Sequence, residues 1–125
     1  MEKDNPKRIL IVDDEPLIRQ ALSKMLSTED VEVKTVTTGK EALDEINSAF
    51  YDLCFLDINL LDAAGLAIMK DVRDLSPRTS VVIMTSSYLD DDVKKAIEDG
   101  ADYFVPKPFD ISQIKEIARS ALSAK

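Results

Sequence analysis

The stretch Tyr51-Asp52-Leu53-Cys54-Phe55-Leu56-Asp57 decides how the rest of the chain is read. It is a mostly apolar run bounded by polar turn residues, the pattern of a β-strand buried on both faces of a parallel sheet. It also delivers a carboxylate to its own C-terminal tip. Beyond it, residues 58–64 carry no clear period until Gly65 opens a helical pattern. An Asp after an apolar strand commonly serves as a turn-former or a helix cap. Asp57 acquires a larger role only because other strand ends bring matching chemistry.

Toward the N-terminus, residues 1–7 read as a loose polar terminus, and Arg8-Ile9-Leu10-Ile11-Val12 is a β-branched run that stops at Asp13-Asp14-Glu15. Leu17, Ile18, Ala21, Leu22, Met25 and Leu26 follow at helical spacing as one wide apolar stripe, with Pro16 in the first turn. Val31 to Val36 alternates and predicts an edge strand with one polar face. Thr38 is placed to cap a short helix carrying Ala42, Leu43 and Ile46.

Toward the C-terminus, a helix is predicted from about Gly65 to Asp74 with Leu66, Met69 and Val72 inward, broken by Ser76-Pro77. Ser80 to Met84 is a fourth strand ending at Thr85-Ser86-Ser87. Asp90 or Asp91 caps a helix bearing Val93, Ala96 and Ile97, which Gly100 closes. Asp102 to Val105 is a short fifth strand leading to Pro106-Lys107-Pro108. Asp110 or Ser112 opens the last helix, with Ile111, Ile114, Ile117, Ala118, Ala121 and Leu122 inward. Strands alternating with helices in this way give a doubly wound α/β fold, a five-stranded parallel sheet with helices on both sides. No linker or change of composition interrupts the repeat, so one domain is expected over residues 1–125, with its core at about 8–123.

Composition narrows the function. A chain of 125 residues, 45% hydrophobic and 32% charged, is of the soluble globular class and can bury a core without staples. Its net charge of −8 argues against nucleic acid as a direct partner, since phosphate binding needs clustered Lys and Arg. Cys54 is the only cysteine and sits mid-strand, so it reads as a small buried hydrophobe. No apolar run is long enough to span a bilayer, and Met1 to Asn5 does not resemble a signal peptide. A cytoplasmic protein without membrane contact is expected.

Ligands of doubly wound sheets bind in the crevice outside the C-terminal strand ends. There the sequence places Asp13 and Asp14 after the first strand, Asp57 after the third, Thr85 after the fourth and Lys107 after the fifth. The remaining ionisable groups read as solvated charge. Two carboxylates about 4 Å apart repel by roughly 4 kcal/mol at a typical surface dielectric. That is a large part of the ~5–15 kcal/mol net stability of a domain, so three converging carboxylates are not expected for structure alone. A hard divalent cation relieves the strain, and an all-oxygen set suits Mg²⁺. With no His in the chain and Cys54 in the core, a zinc site is not expected. Carboxylate, cation, hydroxyl and ammonium together form a kit for phosphoryl transfer to an aspartate.

The chain resembles the receiver domains of bacterial two-component response regulators, of the chemotaxis-regulator type, over essentially its whole length. The matching pieces are Ile11-Val12-Asp13-Asp14-Glu15, Asp57-Ile58-Asn59-Leu60 with Gly65, Met84-Thr85-Ser86, and Gly100 through Phe109. The resemblance implies a flavodoxin-like (βα)5 fold with strand order 2-1-3-4-5. It implies that Asp57 is the phosphoacceptor, taking a phosphoryl group from a histidine kinase or a histidine phosphotransfer protein. Asp13 and Asp14, with Asp57 and the backbone carbonyl of Asn59, would hold Mg²⁺. Thr85 and Lys107 would sense the phosphoryl group, and Phe104 would turn with Thr85 to signal toward the face of helix four, strand five and helix five. An output domain or downstream protein would dock there, and a homodimer through that face is a further implication. A cis bond at Lys107-Pro108 is expected on the same ground.

Three positions depart from the usual receiver pattern: Leu61 replaces a Pro, Ala64 an Asp or Asn, and Ser86 a smaller residue. None removes a reacting group. They bear on loop stiffness and on the phosphoryl lifetime, which Asn59 and Ser87 are best placed to tune. The rival readings are an aspartyl-phosphate phosphohydrolase, which would carry a second Asp where Asn59 stands, and a receiver-like interaction module that works without phosphorylation. The run Asp90-Asp91-Asp92 reads as a solvated helix start.

Overall fold

The computed structural model describes residues 6–60, 65–85, 91–98 and 100–123, without the side chains of residues 66, 92, 93, 96 and 97. Five strands, β1 (Lys7–Val12), β2 (Val31–Val36), β3 (Leu53–Asp57), β4 (Ser80–Thr85) and β5 (Tyr103–Pro106), alternate with five helices. These are α1 (Pro16–Leu26), α2 (Gly39–Ser48), α3 (Gly65–Leu75), α4 (Asp91–Glu98) and α5 (Ile111–Ser123). All strand pairs are parallel, and the sheet order is β2-β1-β3-β4-β5. The edge position of β2 follows from its polar face, on which Glu32 and Lys34 are exposed.

Alternate residues of each central strand divide between two cores. Leu10, Val12, Cys54, Leu56, Val81 and Ile83 join Ala42 and Ile46 of α2 and Met69 and Val72 of α3. Ile9, Ile11, Leu53, Phe55, Val82 and Met84 join Leu22 and Leu26 of α1 and Ile114, Ala118 and Ala121 of α5. This period of two, buried on both faces, is why the central strands read as continuous apolar runs.

Local signals set the helix ends. Thr38 and Glu41 form a reciprocal capping box, and Asp110 accepts the backbone N–H of Ser112 as α5 begins. Gly100 adopts a φ of +123°, a conformation side chains rarely tolerate. At Gly65 the reason for glycine is space: a Cβ there would lie 2.4 Å from the Ile58 Cα.

Several inward assignments need correction. Leu17 is 77% exposed and Ile111 58%, and Ala21 is also exposed. Leu17 and Ile111 sit at the outward side of their helix starts, while Ile18 and Ile114 in the same turns face the core. The expected inward positions Leu66, Val93, Ala96 and Ile97 fall on side chains outside the description, as do Leu61, Ala64, Ser86, Ser87 and Asp90 as whole residues. β1 starts one residue earlier than read, β3 two residues later, β4 extends by one to Thr85 and β5 shifts by one, so that Asp52 and Asp102 lie just before their strands. Reading every charge outside the crevice as solvated also fails. Asp52 is 8% exposed and accepts the Arg8 N–H at 2.9 Å, while Asp102 accepts the Val81 N–H and an Arg73 guanidinium N–H, each at 2.8 Å.

Candidate functional site

The parallel sheet brings the ends of β1, β3, β4 and β5 to one edge, and each contributes a group. Asp13 follows β1 and is fully buried; Asp57 ends β3 at 5% exposure; Thr85 ends β4 at 1%. Their backbones are tied into the sheet: the Asp13 N–H donates to the Val36 carbonyl, and the Ile58 N–H to that of Met84. Lys107 follows β5, and its N–H donates to the Thr85 carbonyl at 2.7 Å. The Lys107–Pro108 peptide is cis.

The Lys107 ammonium is the hub. Nζ lies 2.8 Å from Asp13 Oδ2, 3.0 Å from Glu15 Oε1 and 3.3 Å from Asp57 Oδ2. The other oxygen of each aspartate is held by backbone: Asp13 Oδ1 accepts the Glu15 N–H, and Asp57 Oδ1 the Asn59 N–H, both at 2.9 Å. Both Oδ2 atoms therefore face the ammonium. Burial pushes the Asp13 carboxyl above its ordinary range, against the opposing pull of Lys107. Burial alone would push Lys107 down, but its hydrogen bonds to Asp13 and Glu15 and the nearby Asp57 charge outweigh that and hold it above the usual lysine range. The carboxylates thus keep the Lys107 ammonium charged despite its burial.

Asp13, Asp14 and Asp57 each place a carboxylate oxygen within 4.8 Å of the others. The set is all oxygen, partly solvent-facing at Asp14, and fits a hard divalent ion such as Mg²⁺. Asn59 is exposed beside it, and the contact it makes with Asp57 is through its N–H. Phe104 is half-buried in β5 and packs against the core on the α2–α3 side.

Two participants escape a strand-end inventory. Glu15 occupies the α1 N-cap position without capping it through its side chain, and reaches Lys107 instead. Arg19, one turn into α1, donates to the Asp13 carbonyl at 2.8 Å. The signal for Glu15 was present: Pro16 at the first helical turn fixes the residue before it as a cap, and Glu is not a preferred cap. A cleft of about 570 Å³ runs along α1 past Arg19, Gln20, Lys24 and Thr35 and includes none of the clustered carboxylates.

Residues 9–119 match the family model described as the response regulator receiver domain. The chain is 35% identical over 120 residues to the hybrid signal transduction histidine kinase L of Dictyostelium discoideum, covering 90% of this chain and 7% of that protein. It is 32% identical to the response regulator protein PilR of Pseudomonas aeruginosa, covering 93% of this chain and 26% of that one. The chain thus spans between 7% and about half of the length of the curated relatives it matches. A CheY-like receiver domain protein from Methanospirillum hungatei superimposes with a TM-score of 0.88 at 29% identity, covering 95% of both chains. Sheet order, the oxygen cluster with its lysine, and a family match running from β1 into α5 agree: the chain belongs to the receiver domains of two-component response regulators.

Proposed function

We propose that this receiver domain accepts a phosphoryl group on Asp57 from a phosphohistidine of a histidine kinase or histidine phosphotransfer protein. An Asp57 carboxylate oxygen forms a bond to phosphorus as the bond from phosphorus to the imidazole nitrogen breaks. The other ring nitrogen of the phosphohistidine carries a proton, so the imidazole takes the P–N electron pair and leaves neutral, and the phosphoryl oxygens keep their charge. Receiver domains generally bind Mg²⁺, and Asp13, Asp14, Asp57 and the Asn59 carbonyl are the groups to hold it here. The ion would neutralise charge on the transferred group. Lys107 offsets further charge, and the Thr85 hydroxyl donates to a phosphoryl oxygen. Hydrolysis of the acyl phosphate returns the chain to rest.

Transfer biases a two-state equilibrium. Thr85 and Phe104 carry it to the α4–β5–α5 face, where an output domain, a downstream protein or a second copy docks. The whole chain acts as one such cytoplasmic switch domain, as receivers do within longer relatives. The observation that carries this reading is the Lys107 ammonium spanning Asp13 and Asp57 at the mouth of the sheet.

The test is intact mass after incubation with a small phosphodonor, with and without Mg²⁺, on wild type and Asp57→Ala. A Mg²⁺-dependent gain of one phosphoryl group in wild type alone is expected. No gain, with Mg²⁺ binding verified separately, would leave a module that binds partners without phosphorylation.

A further inference from the structure

Glu15 gives Lys107 a third carboxylate beyond the two that the phosphoryl-transfer reading uses. An ammonium has three N–H donors. At rest all of them are taken, by Asp13, Glu15 and Asp57 at 2.8, 3.0 and 3.3 Å. A phosphoryl oxygen approaching the Asp57 carboxylate therefore finds no spare donor on Lys107, and one existing bond has to break before the transfer.

Burial decides which. The side chains of Asp13 and Asp57 are 0% and 7% exposed, whereas that of Glu15 is 59% exposed. While the donor approaches, Asp57 is still a carboxylate, and stripping the ammonium from it or from Asp13 leaves a desolvated charge, whereas Glu15 can exchange the ammonium for water. Its backbone stays put, because its N–H is held by Asp13 Oδ1 and Pro16 follows in the first helical turn. Once released, the carboxylate remains tethered beside the reacting group.

We propose that Glu15 is an internal competitor for Lys107. Its carboxylate holds the ammonium at rest, yields it to the incoming phosphoryl group, and disfavours donors in proportion to their negative charge. This rests on Asp57 accepting the phosphoryl group, as proposed above. Glu15 is a positioning residue, since it acts through Lys107 and through its field at the mouth of the site.

The experiment compares wild type with Glu15→Gln in the full chain, with Mg²⁺ and two donors. From dianionic acetyl phosphate, the P–O bond to acetate breaks as the bond to Asp57 forms, and acetate leaves. From monoanionic phosphoramidate, the P–N bond breaks and ammonia leaves. Glu15→Gln is expected to speed transfer from acetyl phosphate by roughly two- to five-fold, the scale of one partly exposed ion pair. It should speed transfer from phosphoramidate less, and flatten the dependence of the acetyl phosphate rate on ionic strength. A readout without metal or donor is the NMR position of the Lys107 Cε methylene, which should move in the variant.

Equal factors for both donors, slower transfer from both, or an unmoved Lys107 resonance would overturn the proposal. A wild type that gains no phosphoryl mass from either donor overturns the parent reading and this one with it. That outcome is distinct from wild type and variant labelling alike.

Discussion

At the N-terminal edge of the sheet, Asp52 and Asp102 each answer a backbone donor of a neighbouring strand, the N–H of Arg8 and of Val81. Asp102 adds an ion pair with Arg73 at 2.8 Å, and the buried Thr79 hydroxyl donates to the Tyr51 carbonyl at 2.7 Å. At the opposite edge, Asp13, Asp57 and Glu15 share one ammonium, and Asp14 has no hydrogen bond or ion pair among the described residues. The residue type and the sheet are the same. One edge distributes its carboxylates and satisfies each locally; the other gathers them and leaves negative charge in excess. The first arrangement staples strands together, and the second waits for a cation and a phosphoryl group.

Breaking a staple should cost stability and nothing else. Asp102→Ala leaves the Val81 N–H without its side-chain acceptor and Arg73 without its carboxylate. A loss of about 1–3 kcal/mol is expected in denaturant titration, with phosphoryl uptake at Asp57 intact. If uptake fell while stability held, the division between the two edges would be wrong.

A smaller effect is expected at Tyr51, whose hydroxyl donates to Glu45 at 2.6 Å. Tyr51→Phe should cost about 1 kcal/mol near neutral pH. Burial, and then the Glu45 carboxylate, push the phenol from 10 up to about 12. A group raised in the fold contributes fully below its unfolded value and loses that contribution as pH rises through its folded one. The gap between wild type and Tyr51→Phe should therefore narrow between pH 10 and about 12. A gap that widened there would contradict the assignment.

The smallest stability change has the opposite sign. Asp14→Ala removes a like charge from the gathered edge and should raise stability by about 0.5 kcal/mol while weakening Mg²⁺ binding. A lower melting temperature would sharpen the comparison against us, by showing that Asp14 has a structural partner.

The central strands could be read directly from the residues, because strands buried on both faces leave unbroken apolar runs, as in Leu53 to Leu56. The strand-end carboxylates followed from them, since parallel strands deliver their C-terminal residues to one edge. The capping box at Thr38 was also readable, because both its partners lie within one turn. Tertiary context decided the rest. Leu17 joins the same apolar stripe as Leu22, but the core takes Ile18 and Leu22 and leaves Leu17 outside. Asp52 and Asp102 read as early strand residues until the neighbouring strand supplies an N–H, a contact spanning 44 positions for Asp52 and 21 for Asp102. The Glu15-Pro16 pair marks Glu15 as an unusual cap, but its partner is a lysine 92 positions away, which no local pattern names.

Cys54 is the second residue of β3, three before Asp57, with 0% exposure and a thiol that burial pushes up to about 12. A thiol reagent attacks the thiolate, so in the closed sheet it meets neither an ionised nor an accessible sulfur. The chain has no tryptophan to report on its interior optically. Its single cysteine supplies a chemical stopwatch instead, and the rate at which a reagent caps Cys54 times how often the sheet beneath the switch comes apart.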